Sequence, residues 1–342
     1  MKRNRSEQRR NRNDRRTAGR GIFALLCAAV LFAALFAGCK SPEVPGGQDD
    51  GKLRVVTTIF PLYDWAREVI GPREDVELTC LLENGADYHS YQPSASDIVK
   101  VSTADVFFYV GGGSEGWAED ALRNVTNERQ KRIRLFTVLE DRLREEETME
   151  GMEEEHEDEH GSDDEYDEHL FLSLVNAEKS VEALRDALQE ADPAHEADYE
   201  KNASAYLARL SALDDAFRET VRTAGRDTIL FGDRFPFLYL TKDYGIRYYA
   251  AFQGCSSDTE AGFSTVAFLG EKVKEYELPA VIMLEKSDRK LAEAVVSASG
   301  RADVLILTMD SMQAVTPEER ASGANYLGIM EKNLETLRKA MN

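Results

Sequence analysis

The residues best suited to chemistry are histidines standing among carboxylates. His89 lies in Asp87-Tyr88-His89-Ser90-Tyr91-Gln92-Pro93, on a Gly/Asn-rich turn between an apolar run at 76–82 and a helix start at Ser94 or Ser96. A strand leading through a loop into a capped helix is where α/β proteins place functional side chains. His169 stands where an acidic tract gives way to Leu170-Phe171-Leu172. His156 and His160 frame the string His156-Glu157-Asp158-Glu159-His160. Imidazole beside carboxylate is a donor set for zinc and its neighbours. The same string matches the H-E-x-x-H of zinc peptidases, whose chemistry needs both histidines on one face of a rigid helix. Here it sits in a tract with no apolar neighbour to fix such a helix. A surface zinc metalloenzyme is therefore the unfavoured reading; a flexible low-affinity metal collector and a solubilising charged loop with incidental histidines both stay open. His195, among acids near the start of a helix and off its apolar stripe, reads as a solvated side chain.

The elements that must position these residues alternate. Residues 53–57, 76–82, 106–110 and 133–138 read as strands, with helices at 60–70, 96–102 and 117–125 between them. Such alternation means a mainly parallel sheet covered on both faces. Gly111-Gly112-Gly113 lacks the residues of a phosphate-cradling loop and reads as a turn. From Glu145 to Glu168 there are fifteen Asp/Glu and no Lys or Arg, which predicts a disordered loop. A helix over 177–189 follows, then a second of about thirty residues starting at Asp192-Pro193, with Asp192 as its N-cap. Tyr199, Ala203, Tyr206, Leu210, Leu213 and Phe217 form one apolar stripe along it. The second half alternates again. Its strands are at 228–231, 246–252, 280–284 and 304–307, and its helices at 235–243, 263–276, 289–299 and 325–341. The fold class is α/β: two (β/α) lobes with mainly parallel sheets, joined by a long rigid helix.

The formal charge is −21. The first 39 residues are nevertheless basic, with Glu7 and Asp14 their only acids, so the remainder is more acidic still. That balance argues against nucleic acid as a partner and suits cations. Residues 21–38 are almost wholly apolar, just long enough for an uncleaved membrane anchor. They end in Leu35-Phe36-Ala37-Gly38-Cys39, which resembles a bacterial lipobox with Cys39 as the lipidated residue. The expected organisation is a lipoprotein signal peptide at 1–39 and a Pro/Gly tether at 40–52. The N-terminal lobe follows at 53–140, the acidic His-containing loop at 141–168 and the end of the first lobe at 169–191. The linking helix occupies 192–224 and the C-terminal lobe 225–342. In an exported protein Cys80 and Cys255 could form a disulfide or stay as two buried thiols, and the sequence leaves both open.

Three segments carry a resemblance that extends from Leu53 to the C-terminus. They are Ala86-Asp87-Tyr88-His89-Ser90-Tyr91-Gln92-Pro93-Ser94-Ala95-Ser96-Asp97, then Asp167-Glu168-His169-Leu170-Phe171-Leu172 with Asn176-Ala177, and finally Asn325-Tyr326-Leu327-Gly328 with Asn333-Leu334. The pattern resembles the substrate-binding lipoproteins of bacterial ABC importers for zinc and manganese, the cluster A-I or zinc-uptake and adhesin-lipoprotein family. The resemblance implies a metal site in the interlobe cleft, with His89 and His169 as ligands from the first lobe. It implies Asp233 and Asp310 from the second, with Glu285 the runner-up. It further implies no catalysis, an ABC permease as partner, and an extracytoplasmic, lipid-anchored location. Zinc is the expected cargo, since it outranks manganese for such donors and the His-bearing acidic loop is typical of zinc members. A manganese receptor is the alternative.

Overall fold

The computed structural model describes residues 51–82, 88–153, 166–254, 256 and 261–342. The expected signal peptide, Cys39, nearly all of the tether, Asp87, His156, His160 and Cys255 lie outside them. The first lobe is built on β1 (Leu53–Thr57), α1 (Phe60–Ile70), β2 (Val76–Cys80), α2 (Ala95–Thr103), β3 (Val106–Tyr109), α3 (Gly116–Leu122), β4 (Lys131–Arg134) and α4 (Leu135–Val138). Its sheet is parallel throughout, in the order β2-β1-β3-β4. The fourth strand stops at Arg134, and Leu135–Val138, expected to continue it, turn helical. Leu135 and Phe136 are buried there against the same core, so apolarity alone could not separate strand from helix.

Two long helices follow, α5 (Leu174–Ala191) and α6 (Glu196–Thr223). Every residue of the expected stripe on α6, from Tyr199 to Phe217, is buried. Asp192 does not cap the backbone of α6. Its carboxylate instead accepts from Arg73, at 2.9 Å, and from Tyr199 Oη, at 2.8 Å, and lies 2.9 Å from His195 Nδ1. A short 3₁₀ turn at Pro193–His195 takes up the start of the helix. His195 is thus tied to a partner rather than merely solvated.

The second lobe comprises β5 (Thr228–Leu230), β6 (Arg234–Phe235), α7 (Leu238–Tyr244), β7 (Arg247–Tyr249), β8 (Phe252–Gln253), α8 (Phe263–Glu275), β9 (Ala280–Leu284), α9 (Lys290–Ser299), β10 (Leu305–Met309), α10 (Pro317–Ala321) and α11 (Tyr326–Met341). The pairs β5–β7 and β9–β10 are parallel, and a bridge from Phe231 to Ile282 links them. The stretch expected as one strand over 246–252 is broken at Ala250-Ala251. There the Ala251 N–H turns to the Asp233 carbonyl (3.2 Å), and β8 pairs with β6 instead. The helix expected from Phe235 therefore starts at Leu238, after Pro236, which has no N–H for a ladder.

One continuous core runs through both lobes, from Val55 and Trp65 to Met330 and Met341. Helix α6 packs against α1, α5 and α11. Trp65 of α1 is fully buried edge-on against Tyr326 of α11 at 5.2 Å between ring centroids. Burying one such aromatic contributes about 1.5–3 kcal/mol, and an apolar interface of this extent restrains relative motion of the lobes.

Candidate metal centre

The loop bearing His89 is fastened by the helix that follows it. Asp97 completes a capping box with Ser94 at the start of α2 and also accepts from Tyr91 Oη at 3.2 Å. One carboxylate thus ties the cap and the loop together, which accounts for the Tyr91 and Asp97 positions of the motif. His89 itself sits in a one-turn 3₁₀ helix, Tyr88–Ser90, with the Tyr88 ring against it at 5.0 Å.

His169 is held from several sides. Its N–H donates to Asp167 Oδ1 (2.8 Å). Ser173 caps α5 immediately downstream, and the Asn176 amide donates to the Leu170 carbonyl at 3.0 Å. The second lobe grips the same segment. Tyr239 Oη donates to the Asp167 carbonyl (2.8 Å), and Tyr326 Oη donates to that of Phe171 (2.8 Å). The His169 side chain is fully buried.

These two loops bring the imidazoles together edge to edge, their planes inclined at 60°, with Nε2 of His89 3.2 Å from Nε2 of His169. Behind them, Nδ1 of His169 lies 3.2 Å from Asp167 Oδ1. Nδ1 of His89 lies 2.9 Å from Ser114 Oγ and 3.4 Å from Glu168 Oε2. An ionised carboxylate can only accept, so it draws the ring hydrogen to Nδ1 and leaves Nε2 with its lone pair. Imidazole backed by carboxylate is the arrangement that orients metal-ligating histidines. Two nitrogens bound to one tetrahedral zinc at about 2.0–2.1 Å stand roughly 3.3–3.4 Å apart, close to the observed separation.

The electrostatics agree. Burial alone would lower the His169 imidazole, but the adjacent Asp167 carboxylate outweighs it and leaves it above its ordinary value. Burial would likewise raise Glu168, yet its contact with His89 and Ser114 holds it below the usual carboxylate range. Glu115, fully buried beside them, is pushed up to about 7 by burial and by the negative charge of Glu168.

The carboxylates of the second lobe are placed differently. Asp233 Oδ2 accepts from Leu284 N–H (2.9 Å) and from Ser287 Oγ, while Oδ1 accepts from Arg234 N–H (2.8 Å). Asp310 and Glu285 follow the C-terminal ends of the adjacent parallel strands β10 and β9, the edge of an α/β sheet at which ligands bind. Asp310 Oδ1 accepts from Met312 N–H (2.8 Å), and Glu285 accepts from the N–H and the hydroxyl of Ser311, both at 2.9 Å. Burial and then the charge of Asp310 push Glu285 up to about 7. Among the described residues, no three or more His, Cys, Asp or Glu are gathered closely enough to hold a metal. The histidine pair is assembled, and the carboxylates expected beside it stand apart from it.

Reading the sequence missed Asp167, Glu168 and Ser114, because the first two were assigned to the disordered acidic tract and the third followed a glycine run read as a simple turn. Both ends of that tract are built into the fold. Glu145 bridges Tyr166, Met152 is buried, and Glu153 N–H donates to the Ala251 carbonyl at 3.0 Å. The signal was the change of apolarity at His169, which marks the re-entry of the chain but falls three residues late. Cys80 is buried at the end of β2, its Sγ 3.4 Å from the Leu82 carbonyl.

Fold and site together define a two-lobe α/β binding protein with a nitrogen-donor pair in its first lobe. The family model described as zinc-uptake complex component A, periplasmic (ZnuA), matches residues 55–340, and the chain belongs to this family. It is 34% identical over 323 residues to the zinc-binding lipoprotein AdcA of Streptococcus pneumoniae, covering 93% of this chain and 60% of that one. The chain thus spans about 60% of the length of the first curated relatives it matches. It is 28% identical to the high-affinity zinc uptake system protein ZnuA of Bacillus subtilis, covering 94% of this chain and 97% of that one. The solved structure of the Zn(II)-bound ZnuA-like domain of Streptococcus pneumoniae AdcA superposes with a TM-score of 0.67 at 29% identity, covering 85% of this chain and 99% of that one.

Proposed function

We propose that this chain captures zinc outside the cytoplasm and delivers it to the permease of an ABC importer. The observation that carries this reading is the pair of Nε2 atoms 3.2 Å apart, each imidazole backed by a buried carboxylate. The family and the zinc named in its relatives support the choice of cargo.

His89 and His169 are the proposed first two ligands, and Asp310 and Asp233 the ligands from the second lobe. Two neutral imidazoles and two carboxylates would neutralise a divalent cation and fill a tetrahedral shell. A shell with no open position serves binding rather than catalysis. Because the donors come from both lobes, zinc would favour the arrangement in which the carboxylates approach the histidines, a shift between populations. Asp233 accepts two hydrogen bonds on Oδ2 and one on Oδ1, which leaves Oδ1 a lone pair for the cation. The acidic tract, with His156 and His160, is proposed as a low-affinity collector; its described ends are Glu153 and Tyr166, the latter three residues from His169. Cys39 is proposed to carry the lipid that holds the protein at the membrane, and the proposed domain boundaries are those expected from the sequence.

The test is competitive titration of the protein with zinc and manganese, followed by zinc-edge X-ray absorption. Two nitrogen and two oxygen neighbours at about 2.0–2.2 Å are expected. A zinc shell without histidine nitrogen would overturn the assignment.

A further inference from the structure

Glu168 adjoins His169 in the chain but turns its side chain to the other histidine. The side chain is 5% exposed. Oε1 accepts from Ser114 N–H at 2.7 Å, while Oε2 is buried and lies 3.4 Å from His89 Nδ1 without any closer hydrogen-bond partner. The first lobe is shaped around it. A Cβ at Gly112 would fall 2.2 Å from Glu168 Oε1, so the glycine run makes room for this carboxylate. Ser114, at the end of that run, both fixes Oε1 through its N–H and meets His89 Nδ1 through its hydroxyl (2.9 Å).

Burying a carboxylate with one oxygen so weakly satisfied is unfavourable. An apolar or amide side chain would fill the same space at less expense. The groups in reach to match the charge are Ser114 and the His89 ring, and through that ring whatever His89 binds. Asp167 stands in the same relation to His169. The tripeptide Asp167-Glu168-His169 thus supplies one imidazole and the carboxylates behind both.

We propose that Glu168 is a positioning residue of the metal site, holding His89 with Nδ1 protonated and Nε2 bare toward the cation and supplying a buried negative charge to it. This rests on the reading that His89 and His169 are ligands. Loss of such an outer partner costs metal affinity about 10–100-fold.

The experiment compares Glu168→Gln, Glu168→Asp and Glu168→Ala with His89→Ala in the full chain, titrated with zinc against a chromophoric chelator. Nitrogen-15 spectra of the metal-free histidine rings report the tautomers. Glu168→Gln and Glu168→Ala should weaken zinc about 10–100-fold and shift His89 toward the Nε2–H tautomer, and Glu168→Asp should recover most of both. Glu168→Gln is isosteric, so it keeps the comparison readable if the alanine variant folds poorly. Wild-type affinity and an unchanged His89 tautomer in Glu168→Gln, with binding lost in His89→Ala, would overturn the role of Glu168 alone. Wild-type affinity in His89→Ala would overturn the ligand assignment, and this inference with it.

Discussion

The two lobes bring unlike halves to the candidate site. In the first lobe the donor atoms are already aimed: His89 and His169 meet at 3.2 Å, and their far nitrogens face Ser114, Glu168 and Asp167. In the second lobe, Asp233 and Glu285 accept with both oxygens from N–H and hydroxyl groups of their own lobe, and Asp310 accepts one N–H on Oδ1. An imidazole can be locked from behind through Nδ1 while Nε2 stays available. A carboxylate is held through the same oxygens that would meet a cation, each with a second lone pair left for it. Preorganisation is therefore inexpensive on the histidine side. On the carboxylate side, the proposed site would need Asp233 and Asp310 to approach the histidines when metal arrives.

The largest expected effect comes from attacking the assembled half. His169→Ala should weaken zinc by well over the roughly 100-fold that bounds outer-partner losses, as measured by chelator competition. An affinity within tenfold of wild type would erase the contrast between the lobes. The second lobe should divide its effects between its two aspartates. Asp310→Ala should chiefly lower zinc affinity. Asp233→Ala should also cost about 1–3 kcal/mol in urea unfolding of the metal-free protein, because the Leu284 N–H and Ser287 hydroxyl lose their acceptor. Equal stability of the two variants would mean that Asp233 is not structural.

A subtler probe is Gly112→Ala. Its methyl group meets Glu168, so it should displace that carboxylate and weaken zinc by about tenfold while far-ultraviolet circular dichroism stays unchanged. The smallest effect is electrostatic. Glu285 titrates near 7 in the folded protein against an ordinary 4.5, so the folded state binds more protons between those values. Stability of the metal-free protein should fall as pH rises through that window. Glu285→Gln should flatten that part of the pH–stability curve, and an unchanged slope would show that the carboxylate pair is not responsible.

Much of the architecture was legible because its signals are local or periodic. Strands alternating with helices specify a parallel α/β sheet, and a six-residue stripe at helical spacing specifies the buried face of α6, as found. The misreadings occur where short apolar segments are equally at home in strand and helix, as at Leu135–Val138, or where partners chosen at long range break a run, as at Ala250-Ala251. Asp192 shows the same limit. Its place before a proline predicted a cap, yet Arg73, from more than a hundred residues away, claims its carboxylate.

The sequence by itself determined the residue types of the candidate donors and the loops that carry His89 and His169, because residue type, turn chemistry and capping are written within a few positions of each histidine. Only the tertiary structure decided which nitrogen of each ring faces its partner, and that Glu168 serves His89 rather than its own neighbour. It also decided which N–H and hydroxyl groups the second-lobe carboxylates accept from. Those outcomes depend on which groups the fold buries together, and burial is what turns an acidic residue from a solvated charge into the fixed support of an imidazole.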